Sequence, residues 1–568
     1  MKLKPATRLI AATIAVAFLA VAASIPGCSG CSGKAPLAYV PKDAVAVVLV
    51  PSIKGAIRGL GKLMEKFKDE APVKAQLDKQ RQQVVKELGF DPEKPDTMKA
   101  KGFDPGSGIA FSVAADGEST ALVLGVSDQK ALEKYLRETF NKLRGGRATF
   151  QEKKVGGLNA TLLVLQGEQE PRGAWVYHKD HIIICPKSKD GKVAEYAAKL
   201  ASQESSIKDN DVFGSLRKKI GKHQVMLYFD GPAVKKMTAA KAAARLKTAS
   251  EWMKKSIQEQ KETTEAVLAY FNGAAFGLEL SDKGVSVRVF TAVPSAKAKV
   301  INGVLSGKGD APEFGEFIGP DALAVGRVSL NLKKLMDHVL DATPPAMKRR
   351  LYRDLDGLER QTKINVEKDV LGLLSGRYAV ALFGPNAEAL KQGFSLRRPQ
   401  QALGMISGVA MAQVADTKKA AELLATVERM MTGGGMDVRS TREGETRIYY
   451  IGPTESPMVS WTVLKEVAVV GTGDRLKKTL GLIAKGGDNV LGEIDSSRAK
   501  KAFKSEDGNV LYYNLSKTAD TIRGMSLPAE FKLMLSSVLT TLGKFSDVTW
   551  TVEPDDDGVF SELSVRLK

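Results

Sequence analysis

Apolar positions along this chain recur with two alternating periods. Residues 39–51 (YVPKDAVAVVLVP) form a β-rich run bounded by prolines, which predicts a strand. Over 53–67 the period lengthens: Ile53, Ile57, Leu60, Met64 and Phe67 fall on one side of a helix. A second helix is predicted over 73–88, ended by Gly89 and the Asp91-Pro92 pair. Alternation returns at 108–113 and 119–126, two strands joined over Asp116-Gly117, a favoured hairpin turn. Asp128 can accept from first-turn amides, so it caps a helix over 129–143, which Gly145-Gly146 stops. Strands at 148–155, 160–166, 173–177 and 182–185 follow, then a helix over 191–202 and a strand over 224–230. The stretch 233–271 reads as one long helical run with Leu246, Met253 and Ile257 as its stripe. Its part 258–265 is polar all round and is expected to project into solvent. A hairpin of 274–280 and 285–293 closes the segment.

The pattern then restarts. Residues 320–325 (PDALAV) echo 41–47, 332–340 echo the first helix, and 375–383 echo 107–113. Asp416 stands where Asp128 stood, as the cap of a second matching helix, and 433–435 (GGG) repeats the glycine stop. The stretch 460–471 (SWTVLKEVAVVG) has the form of 174–185 (AWVYHKDHIIIC), with Trp461 matching Trp175, Lys465 matching Lys179 and Glu466 matching Asp180. Order is kept across eight elements with nearly constant offsets, and so long a period means two domains rather than a solenoid. The expected fold is α+β: two tandem homologous repeats, 38–301 and 318–568, each an antiparallel sheet covered by helices on one face, with a polar, glycine-rich linker over 302–317. The second repeat carries a polar insert over 385–401.

The first residues speak to location. Lys2, Lys4 and Arg8 precede an apolar run over 9–23 that is short for a membrane span. The sequence that follows, Ile25-Pro26-Gly27-Cys28, resembles the lipobox of bacterial lipoproteins. That resemblance implies a signal peptide over 1–27 and a diacylglycerol on Cys28, followed by a flexible tether over 28–37. Ser29 after the cysteine implies sorting to the outer membrane, with the folded part facing the periplasm. The formal charge of +19 makes anionic lipids or envelope proteins the expected partners, although the basic residues are scattered among acids. Export argues against nucleic acid. Three cysteines cannot supply a disulfide framework.

Candidate chemistry is sparse. His178 and His181 flank the turn Lys179-Asp180 and face each other if the hairpin is tight. Two imidazoles can start a metal site, but no third ligand is signalled and the second copy has Leu464 and Val467 there, so no metal is expected. No nucleophile, zinc or phosphate-binding motif occurs, so neither a catalytic residue nor a cofactor is assigned. Trp175 and Trp461 are read as core residues between sheet and helix. The opening run, the repeated layout and the lipobox are similar to uncharacterised duplicated bacterial envelope lipoproteins. The resemblance implies a non-enzymatic scaffold or binding protein. The alternative is a periplasmic carrier or sensor of an amphipathic ligand such as lipid or lipopolysaccharide.

Overall fold

The computed structural model describes residues 36–568 except 69–70, 308–309, 311, 344, 386–405, 455–456, 506–507 and 526–528. The segment 1–27, Cys28, most of the tether and nearly all of the insert lie outside the described residues. The chain divides into two compact units. The first runs to Pro294 and takes in Asp557–Phe560; the second is Ser295–Asp556 with Ser561–Lys568. Both are α+β with antiparallel pairing.

In unit 1 the strands are β1 (Ala46–Val50), β2 (Ile109–Val113), β3 (Thr120–Gly125), β4 (Ala148–Val155), β5 (Leu158–Leu165), β6 (Gly173–His178), β7 (His181–Lys187), β8 (Val225–Asp230), β9 (Gly273–Ser281) and β10 (Gly284–Ala292). They pair in the order β4-β5-β6-β7-β3-β2-β1-β8-β9-β10. Unit 2 has β11 (Ala324–Ser329), β12 (Leu374–Pro385), β13 (Ile406–Val414), β14 (Val438–Glu443), β15 (Thr446–Ile451), β16 (Val459–Leu464), β17 (Val467–Gly471), β18 (Asn509–Asn514), β19 (Phe545–Asp555) and β20 (Gly558–Leu567). Their order is β14-β15-β16-β17-β13-β12-β11-β18-β19-β20. Strand for strand, this is the order of unit 1.

Local chemistry explains the sharpest features. Asp128 accepts from the Ala131 amide at the head of the helix Gln129–Leu143, and Asp416 accepts from the Lys418 and Lys419 amides at the head of Thr417–Gly433. Each removes an otherwise unpaired first-turn donor. The β6–β7 and β16–β17 hairpins both turn on a left-handed lysine, Lys179 at φ 55° and Lys465 at φ 53°, the backbone that a two-residue turn requires at its first position. The long helical stretch is two helices, Gly231–Thr248 and Glu251–Leu268, broken where Ala249 is extended. None of the second helix's residues is buried.

Helices cover the unit 1 sheet on both faces, not one. Ala110, Val123, Ile183 and Cys185 face one core with the helices Val193–Ser202 and Asp211–Ile220. Ile109, Phe111, Leu122, Leu124, Trp175 and Ile184 face another with Ile53, Leu88, Leu132 and Tyr135. The reason is in the strands: every residue of β3 is buried, and a continuous apolar run suits a sheet covered on both sides. In unit 2 one face is covered by the helices Arg475–Lys485 and Ser497–Lys504. On the other, among the described residues, a small cluster of Leu373, Val414 and Ala420 covers only part of the sheet.

Candidate functional site

The tryptophan hairpin is framework in both units. Trp175 is 1% exposed; Phe140 stacks on it at 5.8 Å and Phe150 meets it edge-on at 5.9 Å. Its Nε1 donates to Glu133 Oε2 at 2.8 Å, the Tyr177 hydroxyl donates to the same oxygen at 3.0 Å, and Arg137 Nε donates to Oε1 at 2.6 Å. Burial, and then the Glu133 carboxylate, push the Tyr177 phenol well above its ordinary range. Trp461 is also buried and stacks on Tyr449 at 5.9 Å, but its Nε1 has no partner among the described residues. The cause is legible: the position that follows the Asp416 cap as Glu133 follows Asp128 is Ala421.

His178 and His181 are paired across β6 and β7. The Tyr39 ring lies 5.7 Å from the first imidazole and 5.2 Å from the second, and His181 Nδ1 is 2.7 Å from Asp180 Oδ1. Among the described residues no group of three or more His, Cys, Asp or Glu side chains stands close enough to hold a metal ion. Cys185 is fully buried, and burial pushes its thiol far above the ordinary range. Depressions of about 390 Å³ and 480 Å³ lie along the helices Asp211–Ile220 and Gln129–Leu143. Both are open and lined mainly by charged side chains.

The unusual surface is the second face of the unit 2 sheet. Cross-strand pairing aligns Trp461, Val470, Ala410, Val380, Gly326, Leu511 and Trp550 in one row. The register-equivalent row of unit 1 is Trp175, Ile184, Leu122, Phe111, Val48, Leu227 and Phe276. There Ile184, Leu122 and Phe111 are 7–8% exposed. In unit 2 Val470 is 45% exposed, Val380 44%, Leu511 45% and Trp550 48%. Side chains are also trimmed in the row and beside it. Unit 1 has Leu122, Leu124 and Ile182 where unit 2 has Ala410, Ala412 and Ala468. At the centre, a Cβ on Gly326 would stand 3.2 Å from Val380 Cγ1 and 3.6 Å from Leu511 Cδ1, so both side chains lean over the glycine. From β17 to β19 the row crosses five strand spacings, about 24 Å. Single exposed apolar residues are ordinary; a contiguous set on one sheet face is a candidate recognition surface.

The family profile described as "Protein of unknown function (DUF3352)" matches residues 101–568. The chain belongs to the DUF3352 family. No curated protein matches it. Three solved structures are similar, crystal forms IV, I and III of TP0453. They cover 46%, 49% and 50% of this chain and 81%, 88% and 91% of their own, at 11%, 11% and 10% identity, each with a TM-score of 0.22. So low a score supports no argument about function.

Two features of this DUF3352 chain escape sequence reasoning. Glu133 is one of many helical glutamates, and only its place opposite a Trp-x-Tyr strand marks it. The bare row escapes because Val380 and Leu511 alternate like any strand residues, whether or not something covers them. The signal that finds it is comparison between the two units: Leu122, Leu124 and Ile182 against Ala410, Ala412 and Ala468.

Proposed function

We propose that this DUF3352 protein is a non-enzymatic envelope protein, held at the outer membrane by a lipid on Cys28 and facing the periplasm, and that its second unit binds the apolar part of an amphipathic ligand. The observation that carries the reading is the bare row from Val470 to Trp550. A purely structural sheet would gain by covering it, at about 25 cal/mol per Å² of apolar surface. The row is long and one residue wide, a shape that suits an acyl chain laid across the strands. It is an open surface, so ligand capture here is docking on a sheet and not enclosure in a barrel.

The anchor is supported by the Lys2, Lys4, Arg8 and 9–23 pattern ahead of Cys28, and no described helix is long and apolar enough to cross a membrane. Descent of the two units from one duplicated α+β domain is supported by their common strand order, by the paired caps Asp128 and Asp416, and by the paired left-handed lysines.

Native mass spectrometry of the protein extracted from its own membrane tests the binding reading. Co-purified lipid is expected, and Leu511→Ser with Val380→Ser should abolish it while leaving the circular dichroism unchanged. Protein free of lipid, or lipid retained by the double variant, refutes it. Metabolic labelling with a radioactive fatty acid tests the anchor: incorporation should vanish in Cys28→Ala.

A further inference from the structure

In unit 1 a helix pair sits between β1 and β2 in the chain, Ile53–Glu65 and Ala71–Leu88. It lies over the second sheet face: Ile53, Ala56 and Leu88 are buried in one cluster with Ile109, Phe111 and Leu122, and the first helix packs on β9. Unit 2 has a pair at the same place, Leu332–Ala342 and Pro345–Thr362, between β11 and β12. Its first helix is turned elsewhere, onto the helix Ser295–Val304 and the π-helical turn Val366–Leu371. On this pair Leu340 is buried, but Val339, Met347, Leu351 and Leu358 are all exposed. The last three share one stripe of their helix. One unit thus exposes a helix stripe and most of a sheet row, where its counterpart buries Phe111, Leu122 and Ile184 of the matching row and leaves Phe276 36% exposed.

The base of the pair is built differently too. Lys363 takes a left-handed backbone at φ 61°, which costs a non-glycine residue about 1–2 kcal/mol. The π-helical turn follows at once, a geometry that recurs at functional sites. Gly376 is at φ 83°, and β12 slips its register against β13 between Leu374 and Tyr378. Unit 1 interrupts its pairing at the same place, where the bridge Phe103–Val126 stands apart from the β2–β3 ladder.

We propose that the helices Leu332–Ala342 and Pro345–Thr362 are a lid for the bare row, turning about 363–377 between the raised position described here and a lowered one that reproduces the layering of unit 1. The lowered lid and the ligand occupy the same face, so they exclude one another. This rests on the reading that the row is a binding site, but the lid has its own test.

The test is a pair of cysteines in the full chain, Val339→Cys with Leu511→Cys, one on the first lid helix and one on the row. A second pair, Leu358→Cys with Val380→Cys, guards against a variant that does not fold. Under mild oxidant the designed disulfide, identified by peptide mass spectrometry, should form in both pairs, because lowering brings the residues within disulfide reach. The lid is refuted if neither disulfide forms although every single-cysteine variant labels freely. Lipid retention by the uncrosslinked protein, measured separately, decides the binding reading: a refuted lid with retained lipid leaves that reading standing, whereas crosslinking without any lipid binding keeps the lid and removes the ligand.

Discussion

Replacing Glu133 with leucine keeps the size and helix preference of the side chain and removes its acceptors. Trp175 Nε1 would then be a donor in a site 1% exposed, and leaving such a group unpaired costs about 1–3 kcal/mol. The Tyr177 hydroxyl is only half-buried and can turn toward water, so its loss is nearer 1 kcal/mol. The ion pair with Arg137 joins side chains 34% and 23% exposed and adds less than about 1 kcal/mol. The sum is about 3–4 kcal/mol, a large part of the stability of an ordinary domain. Urea denaturation followed by circular dichroism and tryptophan emission measures it, with each unit fitted as its own transition. Glu133→Gln, which retains one acceptor, should lose about half as much. Ala421→Leu, at the equivalent exposed position of unit 2, should stay within about 0.5 kcal/mol. A loss below about 1 kcal/mol for Glu133→Leu, or equal losses for leucine and glutamine, would refute the view that one carboxylate ties this helix to the sheet.

Three further outcomes are expected. Burial alone would raise the Asp116 carboxyl, but the Ser119 hydroxyl and the Ser119 and Glu118 amides donate to it and hold it below its ordinary value. Its stabilising share is therefore present above the unfolded carboxylate range, near pH 4, and lost as pH falls through the lower folded value; the drop in urea midpoint between pH 7 and pH 3 should be smaller in Asp116→Asn than in the wild type. Cys185 should resist alkylation in the native protein and react fully in urea, so rapid native labelling seen by intact mass would contradict its buried, high-pKa setting. Gly102→Ala should cost at least about 3 kcal/mol in the same denaturation assay. Its φ is +84° and the new Cβ would stand 2.2 Å from the Asp128 carbonyl oxygen and 2.4 Å from the Leu132 amide nitrogen; a loss under 1 kcal/mol would mean that the backbone yields there.

What the chain shows in its letters is what is settled locally. The helix after Asp128 runs over Gln129–Leu143 as its cap, stripe and glycine stop predict, because each acts within a turn or two. The tight hairpin at Lys179 and its twin at Lys465 are legible for the same reason. The break at Ala249 is subtler, because neither glycine nor proline marks it; the signal is Ser250 followed by Glu251, a weak helix start inside a run of good helix formers. Burial on the second sheet face is not local. Leu122 and Ala410 both sit in apolar strands, and only the elements laid over them decide that one is buried and the other exposed. The covering of unit 1 draws on Phe90, Met98 and Phe103, from the connector 89–108, and Phe90 and Phe103 pack against each other and Tyr135. Unit 2 spans the same gap with the shorter 363–373, which has no such wedge.

The two-sided burial of the unit 1 strands also sets how freely each half can vary. In β3 a polar residue is costly at either parity, since both neighbours of any position are inside. In β12 and β18 only alternate positions hold the fold together, so the remainder are released from packing. Val380 and Leu511 belong to that released set, and folding alone would accept serine or lysine there. Homologous chains should therefore diverge at the unit 2 row wherever its use is lost and stay apolar wherever it is kept, while Phe111 and Leu122 remain apolar in either case.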